Sequence, residues 1–398
     1  DFLDDPYPIY AGIRSESPVF YDDTWGLVFV ASHALVLEAL KDRQRFGRDF
    51  RHRLGVDEVE PELYRRIYPP QWPTWTAYIR ESFIDLEPPR HTRLRRLVAK
   101  AFTRRSSEAF RPRMEQAADA ILDRAVDRGE MEVIGEFATP IPVAMIAELM
   151  GIPTEDHPRL LEWSHAIVKV FDEGVTDEEG TAAEQATKDF VAYLRELLKE
   201  RRRTPGEDLL SAMLEVEDSG ESLSDDEIVG TSILTLNAGH EATVHAIGNA
   251  LLALARNPDA YRRLREGADM AVAVEELLRF DSPLQMFERW VLEETEIGGH
   301  PLRKGTKVGL LFGSANHDES VFDHPERLNL TRAPNPHVSF GAGVHHCVGA
   351  PLARVELEAA LGRFAARVKE IELHRATDRI PSLIFRGVNH LEVGVTRS

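Results

Sequence analysis

The only cysteine of the chain, Cys347, stands in the segment FGAGVHHCVG, residues 340–349, among three glycines, a phenylalanine and two histidines. A buried structural cysteine is an inert small hydrophobe and needs no such surroundings. Glycines in a loop allow tight turns and a close approach of the backbone, which would bring amide N–H groups towards the sulfur. Such donors stabilise a thiolate and tune a metal ion bound to it. The segment therefore indicates a cysteine that takes part in chemistry.

Three kinds of cysteine site can be compared with this segment. A single thiolate suits an axial ligand of haem iron, whereas a structural zinc site takes four cysteines or histidines. His345 and His346 are too close to Cys347 along the chain to chelate one ion with it comfortably. A cysteine protease needs a catalytic base, and no base is identifiable from its spacing. A single thiolate ligand therefore fits the segment better than a closed zinc site or a protease nucleophile does.

Composition describes a globular chain of 398 residues, of which 43% are hydrophobic and 29% charged. No run of about 18 apolar residues occurs, so no membrane anchor is expected. The segment DFLDDPYPIY lacks the basic and apolar regions of a secretory signal, and one cysteine cannot form an intramolecular disulfide. We therefore expect a soluble, cytoplasmic protein. The net charge of −19 argues against nucleic acid and anionic membranes as general partners.

One segment, PPRHTRLRRLVAKAFTRRSS at residues 88–107, runs against this acidic balance, because it has seven basic residues and no acid. We call it the basic segment. A charge run usually forms a solvated helix face. On an acidic protein it can instead dock an acidic partner by electrostatic steering. The segment alone favours neither explanation.

Hydrophobic periodicity predicts the elements that would position these residues. The segment PVFYDDTWGLVFVAS predicts a β-hairpin, and residues 107–280 have apolar side chains three and four apart, as helices do. Strand signals return after residue 283. Residues 171–185 are the best candidate for a loop. We expect one domain, residues 1–398, that is mainly α with small β-sheets (α+β).

The longest predicted helix would begin at Ser224, with Glu227 completing a capping box, and end before Asn257 and Pro258. At roughly 30 residues it would be about 45 Å long. Its middle is apolar nearly all round, so we expect it to be central and buried.

Four motifs occur in a fixed order along the chain. Phe340, Gly343, Cys347 and Gly349 fit the pattern F-x-x-G-x-x-x-C-x-G, and EPPRHTRLRR, NAGHEAT and EELLR precede it. Singly the motifs are weak, but together the chain resembles the cytochrome P450 family, in its soluble bacterial type, over essentially its whole length. The resemblance implies the cytochrome P450 fold, with the long central helix over haem.

The resemblance also implies the residues of a haem site. Cys347 would ligate the iron of haem b (iron protoporphyrin IX) from a loop that includes Phe340 and Gly349. The residues that would hold the haem propionates are His91, Arg95, Arg289 and His345. No role is assigned to His346, since the family varies freely at that position.

The motif EELLR supplies an ion pair that the family uses as a structural lock. Glu276 and Arg279 would form it, and by the family pattern Arg327 would join them. Outside the family, the same two residues would be an ordinary pair on a helix surface.

The implied chemistry is reductive activation of dioxygen. No flavin or iron–sulfur segment is recognisable in the chain. The electrons would therefore come from NAD(P)H through a separate ferredoxin and its reductase, and the basic segment would be the proximal face that docks the ferredoxin. Nothing in the sequence requires more than a monomer.

Proton delivery is where the chain departs from the family pattern, which usually has an acid followed directly by threonine on the central helix. Here the predicted catalytic positions are Glu241, Ala242 and Thr243, with alanine where the alcohol is expected. Thr243 lies one residue later, about 100° around the helix. Neutral drift with waters filling the gap is one explanation. Our hypothesis is that a substrate hydroxyl or an ordered water replaces the missing donor.

The residues of the substrate pocket are the hardest to predict from the sequence. Residues 63–83 concentrate aromatic side chains at the family's variable substrate loop, and aromatics are often simply core residues. The prolines and arginines between them argue against a plain buried helix, so we expect stacking walls for a large aromatic or polycyclic ligand. The predicted pocket residues are Trp72, Trp75, Tyr78, Ala238, His240, Leu284, Phe287 and Ile384.

Three functions compete at this point. The leading one is a monooxygenase that acts on a bulky secondary metabolite, as in antibiotic biosynthesis. A second keeps the haem but couples aromatic rings without inserting oxygen. A third, a non-catalytic haem carrier or gas sensor, requires neither Glu241 nor a basic docking face.

Overall fold

A computed structural model describes residues 2–49, 61–80, 82–100, 102–171, 175–215, 217–218, 221–376 and 378–398. The chain divides into two compact units. The first unit comprises Asp1–Gly47, Arg104–Pro142 and Ala242–Ser398, and the second comprises Arg48–Thr103 and Val143–Glu241.

Helices dominate the fold. The α-helices are α1 Tyr7–Glu16, α2 His33–Lys41, α3 Pro61–Ile67, α4 Pro73–Trp75, α5 Arg90–Ala99, α6 Arg104–Arg128, α7 Pro140–Leu149, α8 His157–Val168, α9 Asp177–Arg203, α10 Leu209–Glu215, α11 Asp225–Arg256, α12 Pro258–Arg265, α13 Met270–Phe280, α14 Phe312–Ala315 and α15 Ala350–Arg367. Two π-helical turns, Thr76–Arg80 and Ile134–Ala138, follow α4 and precede α7.

The strands are short and form small sheets. They are β1 Val19–Asp22, β2 Leu27–Val30, β3 Phe46–Gly47, β4 Glu130–Glu132, β5 Glu217–Asp218, β6 Glu221–Ser222, β7 Met286–Val291, β8 Thr295–Ile297, β9 His300–Leu302, β10 Lys307–Leu311, β11 Val368–Ala376 and β12 Leu391–Arg397. One sheet has the order β1-β2-β10-β7-β3 and another the order β11-β12-β4, with two hairpins, β5-β6 and β8-β9, besides. The predicted class, mainly α with small sheets, is confirmed.

The hairpin predicted near the start of the sequence is also confirmed. Strand β1 pairs antiparallel with β2, with Val19 opposite Val30. Gly26 closes the turn at φ +62°, a conformation that glycine adopts without steric cost. Strand β10 then pairs parallel with β2 and antiparallel with β7, so this sheet joins distant parts of the first unit.

The long helix α11 begins and ends where the sequence predicts. The Ser224 amide donates to Glu227 Oε2 at 2.9 Å, and the Glu227 amide donates to Ser224 Oγ at 3.2 Å, which forms the capping box. The helix has 32 residues and ends at Arg256. A Cβ at Gly239 would lie 2.7 Å from Cδ1 of Ile146 on α7, so a larger residue would push the two helices apart.

The loop expected at residues 171–185 is wrong over most of its length, because α9 begins at Asp177. Thr176 caps this helix, and its hydroxyl and the side chain of Glu179 form a second capping box. Gly180 resembles a loop glycine in sequence. In the structure, a Cβ there would lie 1.6 Å from Cζ2 of Trp72, so the glycine is needed for helix packing.

A buried charge network ties the N-terminal segment of the first unit to later segments. Asp281 accepts hydrogen bonds from Tyr7 Oη at 2.9 Å, from Arg379 Nη2 at 2.7 Å and from Arg386 Nε at 2.6 Å. Arg386 also donates to the backbone carbonyls of Leu3 and Asp4, at 2.6 and 2.8 Å. The two arginines lower the pKa of Asp281 against the opposing effect of burial. We call these residues the Asp281 network.

The second unit has its own aromatic core. The rings of Trp163 on α8 and Phe190 on α9 stack with centroids 5.2 Å apart. Ser164 donates to the side-chain oxygen of Asn237 on α11 at 2.8 Å, which pairs two buried polar groups. Over the described parts of both units, no helix has the length and apolar character needed to cross a membrane.

Candidate active site

The loop that precedes α15 presents Cys347 at the surface of the first unit. Gly341 and Gly343 have φ angles of +65° and +69°, so the tight turns expected of the glycines are present. The Cys347 amide donates to the carbonyl of Phe340 at 2.9 Å, which closes the loop behind the sulfur. The loop is built to hold one thiol in a fixed place.

Close packing against α2 fixes the same loop. A Cβ at Gly343 would lie 2.2 Å from the carbonyl oxygen of Leu40, so no larger residue fits there. A Cβ at Gly349 would lie 3.8 Å from the Cys347 sulfur, an ordinary contact. Gly343 is thus the glycine on which the path of the loop depends.

Two features near Cys347 favour negative charge on its sulfur. Cys347 lies just before Ala350, where α15 begins, and the N-terminus of a helix favours negative charge. Farther along α15, the guanidinium of Arg354 lies 4.5 Å from the ring centroid of Phe340. Hydrogen bonds to Glu275 raise the pKa of Arg354, and the negative charge of Cys347 raises it further. Both features stabilise a thiolate.

Glu275 on α13 holds Arg354 in this position. It accepts from Arg354 Nε and Nη2 at 2.6 and 2.9 Å and from His337 Nε2 at 3.0 Å. The Ser339 amide donates to His337 Nδ1, which leaves Nε2 as the donor to Glu275. Burial alone would raise the pKa of Glu275, but the hydrogen bonds from His337 and Arg354 lower it to about 2. Arg354, Glu275 and His337 were not predicted from the sequence; the available signal was a glutamate on α13 and an arginine on α15.

The predicted propionate partners lie on different elements. Arg289 on β7 is only 3% exposed, donates to the carbonyl of Glu288 at 2.8 Å and lies 5.3 Å from the ring of Phe287. His345 is half-buried in the turn before Cys347. In the second unit, His91 is buried and Arg95 half-buried, one turn apart on α5.

The ion pair of the EELLR motif lies in the interior of the first unit. Arg279 donates from Nε and Nη2 to Glu276 at 2.7 and 2.9 Å, and both side chains are fully buried. Arg332, not Arg327, joins them, with Nε 3.0 Å from Glu276 Oε2. Arg327 is 72% exposed and pairs with Glu326. The prediction for Arg327 is wrong because the chain turns after it and brings Arg332 inward.

Helix α11 presents small residues on one face. Ala238 is exposed and Ala242, four residues later, is half-buried, whereas Thr243 is only 5% exposed. The Thr243 hydroxyl therefore does not stand in for a hydroxyl at 242, in agreement with the 100° offset. Glu241 is 18% exposed at its side chain.

Several predicted pocket residues have other roles in the second unit. Trp75 is wholly buried, and its Nε1 donates to the Ile167 carbonyl at 3.0 Å, so it presents no surface to a ligand and its prediction is wrong. Trp72 packs over Gly180. Tyr78 Oη bonds Asp226 and Arg195 at 2.8 and 2.9 Å, in a network near the surface.

The remaining pocket predictions fall into two groups. His240 is 1% exposed, so it presents almost no surface to a substrate pocket. The same burial lowers its pKa to about 4. Leu284, Phe287 and Ile384 are half-buried in the first unit. Leu284 forms a β-bridge with Phe385, the neighbour of Ile384, which brings these two predicted segments together.

Haem fits the donor set around Cys347. The structure presents one exposed cysteine, a fixed loop, a helix N-terminus and the Arg354 guanidinium, which suit an anionic ligand of haem iron. A closed zinc site at Cys347 would need further ligands close to its sulfur. Among the described residues, Cys347 is not part of any cluster of side chains close enough to share a metal ion.

Comparisons with known proteins agree with this geometry. The family model for cytochrome P450 matches residues 60–369. Cytochrome P450 107B1 of Saccharopolyspora erythraea is 36% identical, over 98% of this chain and 95% of that protein. The polyketide biosynthesis cytochrome P450 PksS of Bacillus subtilis is 33% identical, over 100% of this chain and 97% of that protein.

A solved structure extends the likeness to the fold. P450BioI, in complex with an acyl carrier protein ligated to hexadec-9Z-enoic acid, superposes with a TM-score of 0.90 at 32% identity, over 99% of each chain. The chain therefore belongs to the cytochrome P450 family and is a cytochrome P450 monooxygenase, for which the family implies haem.

Proposed function

We propose that this cytochrome P450 oxidises a bulky, aromatic or polycyclic secondary metabolite with dioxygen and two electrons from a ferredoxin. The observation that carries the chemistry is the exposed Cys347 sulfur beside Arg354 and the start of α15. Relatives named for polyketide biosynthesis and for nocardicin C N-oxygenation support a role in secondary metabolism. We place the reaction in the cytoplasm.

Haem b, when bound through a thiolate, supplies the activation of dioxygen. Cys347 would hold its iron, and the helix N-terminus and Arg354 would keep the sulfur anionic. The residues that would hold its propionates are His91, Arg95, Arg289 and His345. The buried guanidinium of Arg289 suits a carboxylate because its donors form a planar fork.

Three residues of α11 would take part in proton delivery and substrate binding. Glu241, partly exposed, would take up protons from solvent at its carboxylate and release them towards the bound substrate. Ala238 and Ala242 have no side chain beyond Cβ, which leaves room for a large substrate next to the helix. A hydroxyl of that substrate, or a water, would supply the donor that Ala242 lacks.

The thiolate assignment is tested by spectroscopy. The reduced protein under carbon monoxide should show the red-displaced Soret band of thiolate-ligated haem. Cys347→Ser should lose this band, whereas His346→Ala, an exposed neighbour to which we assign no role, should keep it. A folded wild-type protein that lacks the band would overturn the proposal.

The substitution Ala242→Thr tests proton delivery. Because the substrate or water already supplies a donor, we expect product formed per NADH oxidised to stay equal or fall with the native substrate. A large rise in coupling would show that the native site simply lacks a group. The measurement is product yield by mass spectrometry against NADH consumption.

Oxidative ring coupling is a second candidate, favoured by one observation: the alcohol position is alanine, and Thr243 is buried away from it. Such a reaction tolerates altered proton delivery, because no oxygen atom is inserted. Product masses separate the two reactions, since insertion adds one oxygen and coupling removes hydrogen.

A further inference from the structure

Three potential metal ligands converge in the second unit, away from Cys347 in sequence. They are His165 on α8 and the adjacent residues His240 and Glu241 on α11. Glu241 Oε1 lies 3.9 Å from Nε2 of His165 and 3.9 Å from Nε2 of His240. The three ligand atoms all lie within 4.8 Å of one another.

The state of His240 points to a missing ligand. The ring is 1% exposed, and its Nδ1 lies 3.1 Å from the carbonyl oxygen of Leu236, so Nδ1 carries the proton and donates it. Nε2 therefore keeps its lone pair. Among the described residues, this nitrogen has no hydrogen-bond partner. A buried polar atom without a partner destabilises a protein unless something else satisfies it.

We propose that His165, His240 and Glu241 bind a divalent transition-metal ion such as Zn²⁺. Two imidazoles and one carboxylate are a ligand set that zinc accepts, and they leave a fourth position for water. Calcium and magnesium prefer oxygen ligands, so two nitrogens select against them. The three ligands therefore favour zinc or a similar transition-metal ion over calcium and magnesium.

The distances require only a small closure. Ligand atoms around tetrahedral zinc lie about 3.4 Å apart, given metal–ligand bonds of about 2.1 Å. The His165 side chain is 57% exposed, so it can turn inwards without disturbing the core and gives the ion a path from solvent.

One consequence rests on the proposed function of Glu241. If its carboxylate delivers protons, an ion bound to it would hold that carboxylate in place. Zinc would then lower product formation reversibly, and a chelator would restore it.

Calorimetry of the haem-loaded protein, without an affinity tag, titrated with ZnCl₂ tests the site. We expect one ion per chain, and we expect His165→Ala to weaken binding by roughly tenfold or more, because loss of even an outer-shell partner costs about 10–100-fold. His374→Ala is the matched control: its Nε2 also lies 3.9 Å from a glutamate oxygen, that of Glu372, on an exposed strand.

Two results would overturn the proposal: no saturable binding of one ion by the wild-type protein, or equal affinity in His165→Ala. Because the heat of binding does not depend on turnover, failure of the proposed monooxygenase reaction would leave this measurement intact. Saturable binding without inhibition would support the site and remove the role given to Glu241 in proton delivery.

Discussion

Arg332 reaches the buried carboxylate of Glu276, and its neighbour in sequence Arg327 stays in solvent. Glu276 is fully buried and already pairs with Arg279, so the added guanidinium completes its hydrogen bonding. The Asn329 amide donates to the same carboxylate at 2.9 Å. The Glu276 carboxylate therefore holds the loop 329–332 against α13.

We predict that Arg332→Ala lowers the free energy of unfolding by about 2 kcal/mol, because a buried charged hydrogen bond is lost. Arg327→Ala, the matched control, should change it by less than about 0.5 kcal/mol, since exposed ion pairs contribute little. Urea unfolding followed by circular dichroism measures both. Equal effects of the two substitutions would contradict the role given to Arg332.

The sequence could not make this choice between the two arginines. The E-x-x-R spacing places Glu276 and Arg279 on one side of a helix, a local consequence of 3.6 residues per turn. Which arginine joins them depends on how an irregular loop folds back, and no periodicity encodes that. The same limit explains Trp75: its aromatic type predicts contact with something apolar, but not whether that is a ligand or the end of α8, where Ile167 lies.

At the scale of elements, the cysteine loop depends on two glycines that differ in one respect. Gly341 and Gly343 both have positive φ. The nearest atom to a Cβ at Gly341 lies 3.9 Å away, whereas a Cβ at Gly343 would meet the Leu40 carbonyl at 2.2 Å. A side chain would strain the backbone at both positions because of the positive φ. Only at Gly343 would its Cβ also clash with α2.

Alanine substitutions separate these effects. Gly341→Ala should cost about 1–2 kcal/mol from the backbone conformation, and Gly343→Ala should cost about 1–3 kcal/mol more from overpacking. The Gly343 variant should also weaken the thiolate Soret band, because the loop that carries Cys347 must move. Unfolding curves and absorption spectra provide the two measurements; a Gly343 variant as stable as the Gly341 variant would refute the packing argument.

The contact between α13 and α15 through Glu275 should depend on pH. The pKa of Glu275 is lowered from 4.5 to about 2 in the folded protein. Its stabilising effect is therefore complete above about pH 4.5 and is lost as the pH falls towards 2. Discounted for the 27% of the side chain that stays exposed, the effect is about 2 kcal/mol at neutral pH.

Glu275→Gln should accordingly lose about 2 kcal/mol at pH 7 and approach the wild type only as the pH falls towards 2. Glu294→Gln, at an exposed position, is the control and should follow the wild type throughout. Urea midpoints at several pH values measure the difference. A gap between variant and wild type that does not narrow in acid would show that the carboxylate's charge is not what stabilises the contact.

The elements themselves were the most predictable level. Ser224 and Glu227 mark the start of α11, and Asn257 with Pro258 marks its end, because capping and proline act within one turn. The loop prediction around Gly180 was wrong for the opposite reason, because this glycine is required by Trp72, more than 100 residues away in sequence. Long-range packing decided that residue, and local patterns do not report it.

For the whole molecule, charge should govern association with the electron donor. The chain carries −19 overall, yet Arg90 and Arg96 are exposed on α5 and Lys100 is exposed directly after it. Arg93 is a partial exception, since it is half-buried and pairs with Glu227. We propose that the exposed side chains on α5 steer an acidic ferredoxin into place.

Arg96→Glu should weaken ferredoxin binding by roughly tenfold at low salt, and the difference should shrink near 1 M salt, where charges are screened within about 3 Å. Arg203→Glu, at an exposed position on α9, changes the net charge by the same amount and serves as the control. Spectral titration of the two variants with ferredoxin measures the affinities. Equal weakening by both would mean that only the net charge matters.

The Asp281 network bears on how this gene can be recombined with those of its relatives. Position 7 must supply a hydroxyl, and the backbone at residues 3 and 4 must meet Arg386, although these partners are encoded at opposite ends of the chain. A chimaera with a crossover between them inherits one half of the network from each parent. Unless both parents have the same residues at the positions of the Asp281 network, the chimaera buries a charge without its partner. Crossovers between these positions should therefore yield few chimaeras that fold.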